Sequence, residues 1–238
     1  MSTEPDLTLE NRLWHEGFLR VVGCDEAGRG TWAGSLWVGA VSLRKVDIPT
    51  VQGMIADYNL RDSKQMTPRQ RANIYRMILE TDIPYAVADA TVAEVDAIGI
   101  ESAFLVALNR AGSSLVDDLR QRAPEPSDIY TKTALLIDGH RYKNLKVANG
   151  TLSAPLNFEV VAEDKLDQAS ATVALASVVA KVHQEITMRG LDLIYPEYGF
   201  ASHNGYPTKA HKEAVSKHGL SAVHRKTWNV AKGGNGHD

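Results

Sequence analysis

The strongest constraint on the fold lies in residues 19–30, where an apolar run passes directly into two acids and a glycine-rich turn. The run Leu19–Cys24 has the length and composition of a buried strand, and Asp25 and Glu26 stand at its end. The turn Gly28–Gly30 begins and ends with residues that lack a Cβ atom, so another backbone could pass close to it. The segment therefore predicts a buried strand that delivers two carboxylates to the edge of a sheet.

Carboxylates at a sheet edge favour a hard divalent cation, because Mg²⁺ binds through a few carboxylates together with waters and substrate phosphates. Arg29, in the same turn, could hold a phosphate through paired hydrogen bonds. Together these residues suggest metal-assisted chemistry on a phosphodiester. For this segment alone, a solvated turn without a chemical role is the competing interpretation, and further carboxylates from elsewhere in the chain decide between the two.

Two more acids occur where they could reach the same edge. Asp138 follows the apolar run 134–137 and precedes a glycine, although an ordinary Asp-Gly turn has the same pattern. Asp167 precedes an alanine-rich helix, where capping the helix is the usual role of an acid. If Asp25, Glu26, Asp138 and Asp167 converge, they could hold two cations about 3.5–4 Å apart, on either side of a phosphodiester.

Composition bounds the class of protein and its surroundings. The chain has 238 residues, of which 44% are hydrophobic and 23% charged, with a net charge of −3, so any nucleic-acid surface must be locally basic. The basic residues near the C-terminus are Lys209, Lys212, Lys217, Arg225, Lys226 and Lys232. A single cysteine, Cys24, excludes an intrachain disulfide and is expected to fill a small buried space. Because the N-terminal residues contain no hydrophobic signal region, we expect a soluble cytoplasmic protein.

Strand-like and helix-like patterns are mixed along the chain, which favours an α/β sheet packed between helices. Strands are predicted at Leu19–Cys24, Leu36–Leu43, Tyr85–Thr91, Ala134–Ile137 and Phe158–Ala162. Helices are predicted from Pro68, after a capping box at Thr67, to about Glu80, at Val92–Val116 as one helix or two, at Gln168–Met188 and at Thr208–Lys217. The short turn between the first two strands favours antiparallel pairing.

These motifs, in this order, resemble those of ribonuclease HII, the type 2 ribonuclease H family. The resemblance covers about Val21 to Trp228 and rests on Asp25–Gly30 with Ala33-Gly34, Asp62–Lys64, Ile137–Gly139, Ala174–Val182, Tyr198–Phe200, His203–Tyr206 and His224–Trp228. It implies an α/β fold with an RNase H-like mixed sheet flanked by helices and a C-terminal helical extension. The implied division is an N-terminal extension at 1–18, a catalytic domain at 19–200, and a substrate-binding extension with a tail at 201–238.

The resemblance also implies an endoribonuclease that hydrolyses the phosphodiester 5′ of ribonucleotides by two-metal-ion catalysis. The substrates would be RNA–DNA hybrids and single ribonucleotides in duplex DNA, the ends 5′-phosphate and 3′-OH, and the biological role ribonucleotide excision and primer removal. The implied catalytic metal ligands, for Mg²⁺ or Mn²⁺, are Asp25, Glu26, Asp138 and Asp167. The implied substrate contacts are the 2′-hydroxyl for Gly28, Arg29 and Gly30, the next deoxyribose for Tyr206, and phosphate for Lys64. No membrane association is expected, a monomer is the default, and a protein partner is left open.

The sequence departs from the usual family pattern at Thr31, Trp32, His140, Leu166 and Asn204, none of which removes a catalytic carboxylate. Asp164 is an alternative fourth ligand, although the register of the alanine-rich helix favours Asp167. Ribonuclease HIII is disfavoured because that family carries an extra N-terminal domain and a different turn. A hybrid-binding protein with a vestigial site is disfavoured by the four acids, and a small-molecule α/β enzyme by the lack of a cofactor motif.

Overall fold

A five-stranded mixed sheet forms the centre of the protein in a computed structural model, which describes residues 4–122, 132–138, 142 and 158–228. The strands are β1 (Arg20–Ala27), β2 (Leu36–Leu43), β3 (Tyr85–Ala90), β4 (Thr133–Asp138) and β5 (Phe158–Glu163). Their order across the sheet is β3-β2-β1-β4-β5. The pairs β1–β2 and β2–β3 are antiparallel, and the pairs β1–β4 and β4–β5 are parallel. The predicted α/β class and the antiparallel first pair are both confirmed.

Helices cover both faces of this sheet and continue beyond it at the C-terminal end. They are α1 (Thr8–His15), α2 (Ile48–Tyr58), α3 (Pro68–Glu80), α4 (Val92–Arg122), α5 (Leu166–Ala169), α6 (Ala171–Ile194), α7 (Phe200–His203) and α8 (Lys209–His218). The long helix α4 is kinked at Gly99, whose φ of +77° is not helical. Within the described residues, no helix combines the length and the apolar character needed to cross a membrane.

Two apolar cores lie on opposite faces of the sheet because successive side chains of a strand point to opposite sides. Val21 faces the core that α1, α2, α3 and α6 close, whereas Val22 and Cys24 face the core that α4 closes. Cys24 is buried there as a small filler, as predicted. The odd-numbered residues of β1, among them Asp25, therefore face α6, and Glu26 faces the side of α4.

The helix α6 lies unusually close to the sheet because glycines stand opposite it. A Cβ atom on Gly23 would lie 2.6 Å from the Thr172 carbonyl carbon, and one on Gly39 would overlap the Ala176 backbone oxygen. The N-terminal end of α6 is fixed by the buried Glu10 of α1. One oxygen of Glu10 accepts from Ser170 Oγ at 2.6 Å and from Thr172 N at 2.9 Å. These contacts hold α6 tightly against β1.

A third apolar core lies among the last helices of the chain. Trp32, from the turn after β1, packs there against Met188, Phe200 and Val215. Helix α8 begins after Thr208, whose Oγ1 accepts from the His211 N–H, and it ends before Gly219, where φ is +78°. The third core therefore joins the turn that carries Arg29 to the last helices of the chain.

Candidate active site

Strand pairing brings the first and third predicted acids to the same edge of the sheet. β1 and β4 run parallel with Cys24 opposite Ile137, so the next residues, Asp25 and Asp138, stand level with each other. Asp25 is only 3% exposed. The strands run further than predicted, through Ala27 in β1, so these acids lie inside the ends of their strands and not beyond them.

Asp167 reaches this edge from a separate one-turn helix. The predicted helix is divided at Ser170, whose extended backbone and side chain cap α6 by accepting from the Val173 N–H at 3.2 Å. Asp167 therefore does not cap α6, and its carboxylate is buried at 4% exposure. The preceding Leu166 N–H donates to Asp138 Oδ1 at 2.8 Å, which ties α5 to the end of β4.

Burial raises the pKa values of the acids, and repulsion between them adds to the effect. Burial raises the pKa of Asp25 well above its usual range, and repulsion from Glu26 and Asp167 adds to the effect. Burial, followed by repulsion from Asp62 and Asp138, raises the pKa of Asp167 to about 6. The pKa of Asp138 is also raised, by burial and then by Glu26. The positive charge near the cluster therefore does not offset the effects of burial and repulsion on the ionised carboxylates.

The chemistry of this donor set fits a divalent cation. Asp25 Oδ2 is buried without a hydrogen-bond partner among the described residues, while a bond from Ser177 favours the ionised carboxylate. An orphaned carboxylate oxygen among repelling acids gains a partner when a cation binds. As the side chains stand, no three His, Cys, Asp or Glu residues in the described part of the chain form a complete metal-binding group.

Two basic side chains, Lys64 and Arg29, lie beside the acids. Lys64 Nζ lies 3.9 Å from Asp167 Oδ2 and 4.0 Å from Asp62 Oδ1, with 62% of its side chain exposed. Burial alone would lower the pKa of Lys64, but Asp25, Asp62 and Asp167 together raise it. The structure thus places the predicted Lys64 beside the acids. Asp62, from the motif Asp62–Lys64, is an additional acid here, and its sequence context indicated no role.

Arg29 is the second cation, and it is held by protein groups on three sides. Its Nε donates to Glu26 Oε1 at 2.6 Å, Nη1 donates to Glu101 Oε1 at 2.7 Å, and Nη2 donates to the Tyr142 hydroxyl at 2.8 Å. The guanidinium carbon also lies 5.2 Å from the centre of the Phe104 ring. The Arg29 side chain therefore orients Glu26, a function that the sequence did not indicate.

The glycine turn and Tyr206 lie next to each other. Gly28 has a φ of +89°, and a Cβ atom there would lie 2.9 Å from the Ser35 carbonyl oxygen, so only glycine fits. A Cβ atom on Gly30 would lie 3.8 Å from Tyr206 Cε1. Lys181 Nζ lies 5.3 Å from the centre of the Tyr206 ring. Tyr206, from the connection between α7 and α8, thus stands beside the backbone of the turn.

Most departures from the family pattern have a structural account. Thr31 donates its hydroxyl proton to the Gly28 carbonyl at 3.0 Å, and Leu166 is buried while its N–H binds Asp138. Asn204 adopts a φ of +50° and its carbonyl accepts from Gln184 Nε2 at 3.2 Å. Trp32 is a core residue of the C-terminal extension. His140, like Lys232 and the C-terminal tail, lies outside the described residues.

The structure corrects the prediction for one basic residue, Arg225. Arg225 is fully buried, so its charge is not available to a nucleic acid as the count of C-terminal basic residues assumed. Its guanidinium lies directly beneath the glycine turn and donates to the Gly28 carbonyl at 2.7 Å. The only sequence signal for this role is its place in the segment His224–Trp228, which formed part of the resemblance.

The sequence model of the family described as Ribonuclease HII matches residues 22–231. A ribonuclease HII from Thermus thermophilus is 39% identical to this chain over 218 residues, which cover 92% of this chain and 90% of the relative.

Solved structures show the same fold. The ribonuclease H2 of Pyrococcus horikoshii has a TM-score of 0.60 at 26% identity and covers 90% of this chain and 95% of its own. A Bst ribonuclease HIII, solved in complex with Mn²⁺, has a TM-score of 0.65 at 22% identity, over 90% of this chain and 68% of its own. These similarities confirm the RNase H-like architecture that the sequence predicted.

Proposed function

The chain belongs to the ribonuclease HII family, and on that basis we propose that this ribonuclease H hydrolase cuts the phosphodiester 5′ of ribonucleotides. The substrates would be RNA–DNA hybrids and duplex DNA that contains a single ribonucleotide. The observation that carries the proposal is the level placement of Asp25 and Asp138, with Asp167 beside them, at one sheet edge. The glycine turn that follows β1 lies next to this edge and beside Tyr206.

We propose Asp25, Glu26, Asp138 and Asp167 as the ligands of Mg²⁺ or Mn²⁺. The orphaned oxygen of Asp25 and the raised pKa values of three of these acids support a cation site here. Two bound cations would favour deprotonation of the attacking water and neutralise charge on the leaving oxygen. The ribonuclease HIII of the same fold was solved with Mn²⁺, which supports a divalent metal without choosing between the two.

The protein's own contribution is position and charge, since no residue is required to form a bond with phosphorus. Ser177 and the Leu166 N–H hold Asp25 and Asp138, respectively, and Arg29 holds Glu26. Water would attack the phosphorus in line with the bond to the 3′-oxygen of the preceding nucleotide. That bond breaks, which leaves a 3′-OH on the preceding nucleotide and a 5′-phosphate on the ribonucleotide.

Recognition of the ribonucleotide would come from the turn and Tyr206. The 2′-hydroxyl is the group that distinguishes RNA from DNA, and the backbone of Gly28–Gly30 can approach it because Cβ atoms are absent at both ends. Tyr206 would pack on the deoxyribose of the following nucleotide, where an added hydroxyl would crowd the ring. Lys64, which extends into solvent beside Asp167, would contact a phosphate.

Further features of the enzyme are proposed on the same basis. Residues 1–18 would form an N-terminal extension, 19–200 the catalytic domain and 201–238 the substrate-binding extension and tail. We propose a cytoplasmic monomer that acts in ribonucleotide excision and primer removal. Light scattering at micromolar concentration tests the monomer directly.

The deciding experiment uses a DNA duplex with one embedded ribonucleotide, labelled at its 5′ end. With Mg²⁺ or Mn²⁺ we expect a single cut just 5′ of the ribonucleotide, and none in an all-DNA duplex, in EDTA or with Asp138→Asn. Tyr206→Ala should lose this cut more than the cutting of a long hybrid, whereas Tyr206→Phe, which keeps the ring, should retain it. Binding without any cutting, by well-folded protein, would instead indicate a vestigial site.

A further inference from the structure

Arg225 is the most completely buried charged side chain near the candidate site, with no exposed surface. Its Nη1 donates to the Arg29 carbonyl at 3.0 Å, its Nη2 to the carbonyls of Gly28 at 2.7 Å and Gly34 at 3.0 Å, and its Nε to Gly34 at 3.1 Å. Within the described residues it forms no salt bridge, and its bound acceptors are neutral. The guanidinium carbon also lies 4.9 Å from the centre of the Trp228 ring. Burying a cation without a carboxylate partner is costly, which suggests that the arrangement has a function.

The hydrogen bonds of Arg225 hold two peptide groups in one direction, and the bond from Thr31 Oγ1 to the Gly28 carbonyl supports the first of them. The Gly28 carbonyl shares a planar peptide with the Arg29 N–H, and the Arg29 carbonyl shares one with the Gly30 N–H. In a trans peptide the N–H points opposite to the C=O, and the described chain contains no cis peptide. Because Arg225 binds both carbonyls from the interior, the N–H groups of Arg29 and Gly30 point away from it, toward the outer side of the turn.

These two consecutive N–H groups are available to a ligand. Among the hydrogen bonds of the described residues, neither donates to another protein group. The buried positive charge behind them also polarises both peptides, which makes the two donors stronger. The same turn faces Tyr206 through Gly30.

We propose that Arg225 is the positioning residue that sets the preference of the enzyme for a ribonucleotide. It does so by orienting the N–H groups of Arg29 and Gly30 toward the 2′-hydroxyl and the adjoining backbone oxygens of the ribonucleotide. The inference rests on the proposed function, because it concerns the specificity of the same site. Arg225 itself touches neither substrate nor reacting atoms and acts only through the turn.

The segment that carries Arg225 is anchored on the helix that also holds Arg29. Asp96, near the start of α4, accepts from Lys226 N at 2.9 Å and from Thr227 Oγ1 at 2.7 Å. The Arg225 N–H donates to the Trp32 carbonyl at 2.8 Å. Asp96 therefore offers a second, partly exposed position at which a substitution should loosen the hold of Arg225 on the turn without emptying the core.

The test measures binding in an Asp138→Asn background, in Mg²⁺ buffer, so that the substrate is not cut. The quantity is the ratio of dissociation constants for an all-DNA duplex and for the same duplex with one ribonucleotide. A single lysine amine cannot reach all three carbonyls, so Arg225→Lys should lower this ratio about tenfold, or about 1.4 kcal/mol. Binding to all-DNA duplex should stay nearly constant, and Asp96→Ala should give an intermediate ratio.

A matched control distinguishes specificity from stability. Ile74→Val removes a methyl group from the core between the sheet and α3, so it should lower the melting temperature and leave the ratio unchanged. An unchanged ratio in Arg225→Lys, with a lowered melting temperature, would overturn the inference and leave the proposed function intact. If Arg225→Lys does not fold, an unchanged ratio in Asp96→Ala overturns it. If the Asp138→Asn parent shows no preference for the ribonucleotide, the proposed function fails and the inference with it.

Discussion

His224 Nε2 lies 3.0 Å from His211 Nε2 among the last helices of the chain, and the hydrogen bond between them requires one of these two nitrogens to be unprotonated. The Ser221 N–H donates to His224 Nδ1 at 3.0 Å, so the proton of His224 is on Nε2. His211 Nδ1 lies 2.9 Å from the Tyr206 carbonyl, which can only accept, so His211 is protonated there and accepts at Nε2. A chain of hydrogen bonds therefore links the segment of Arg225 to the backbone of Tyr206.

Acid should weaken this chain and destabilise the fold. Burial lowers the pKa of His211 and of His224 from 6.5 to about 4, and the neighbouring histidines add to the effect. Between these pH values the unfolded state binds protons that the folded state does not, so stability falls as the pH falls from about 6.5 toward 4. For one histidine of the pair, the lowered pKa corresponds to about 3 kcal/mol of folding stability that is lost at low pH.

The raised carboxylate pKa values act in the opposite direction, so the comparison must be made between variants. Asp167, with a pKa of about 6, favours the folded state as the pH falls. Urea unfolding between pH 7.5 and 5 should therefore show a smaller acid loss for His224→Gln than for the wild type. His15→Gln, which changes an exposed histidine, should follow the wild type. Equal losses in all three proteins would contradict the role of the His211–His224 pair.

Neutralising one acid of the cluster should increase stability while it removes metal binding. Burial and then repulsion from Glu26 disfavour the charged form of Asp138, and an asparagine there still accepts from the Leu166 N–H. In EDTA, Asp138→Asn should therefore be more stable than the wild type, by on the order of 1 kcal/mol. Added Mn²⁺ at a hundred times its dissociation constant should stabilise the wild type by about 2.7 kcal/mol and so raise its melting temperature. The variant should gain much less stability.

Asp57→Asn serves as the control for that measurement because Asp57 is exposed on α2, away from the cluster. It should respond to EDTA and Mn²⁺ as the wild type does. An Asp138→Asn protein that is less stable in EDTA, or that gains as much stability from Mn²⁺, would argue against a cation site made by these acids.

The close approach of α6 to the sheet gives a prediction about stability. A Cβ atom on Gly39 would overlap the Ala176 backbone oxygen and lie 3.0 Å from Ala180 N, and neither backbone atom can rotate away. Gly39→Ala should destabilise the protein by about 1–3 kcal/mol and reduce cleavage, because α6 carries Ser177, which binds Asp25. Gly53→Ala, inside α2 with open space around the new methyl group, should stabilise by about 0.5–1 kcal/mol. Urea denaturation of the two variants compares them directly, and similar free energies would contradict the close packing.

The elements that the sequence predicted best are those with local signals. Helix α3 begins and ends where its capping box and apolar spacing placed it, and the bounds of β2 also match. The helices α1 and α2 were not predicted: α1 lies in a polar segment whose few apolar residues, Leu13 and Trp14, pack on the sheet. The break at Ser170 was missed because only the local backbone and the contacts with Glu10 reveal it.

The same distinction applies to the candidate site. The four acids could be proposed because each stands in a recognisable strand or helix context. Arg225 and Glu101 could not, since their contacts with the turn depend on residues 197 and 72 positions apart in the chain. A residue that acts through such a contact carries no local pattern, and only the folded chain reveals it.

Glu101 is the residue through which the hold of Arg29 on Glu26 can be tested. It competes with Glu26 for the Arg29 guanidinium, and half of its side chain is exposed. In Glu101→Gln, Arg29 keeps Glu26 as its one charged partner among the residues that the structure describes, so Glu26 should bind a cation less well. We expect the Mn²⁺ concentration for half-maximal cleavage to rise about fivefold, while stability changes by less than about 1 kcal/mol.

Glu94→Gln is the matched control, because Glu94 lies on the same helix and pairs with a different arginine, Arg110. It should leave the Mn²⁺ requirement unchanged, since neither residue of that pair contacts Glu26. If Glu101→Gln also leaves the requirement unchanged, then Arg29 does not compete with the cation for Glu26, and its ion pair only fixes the turn. A rise in both variants would indicate a general loss of helix α4, which the urea midpoint of each protein would show.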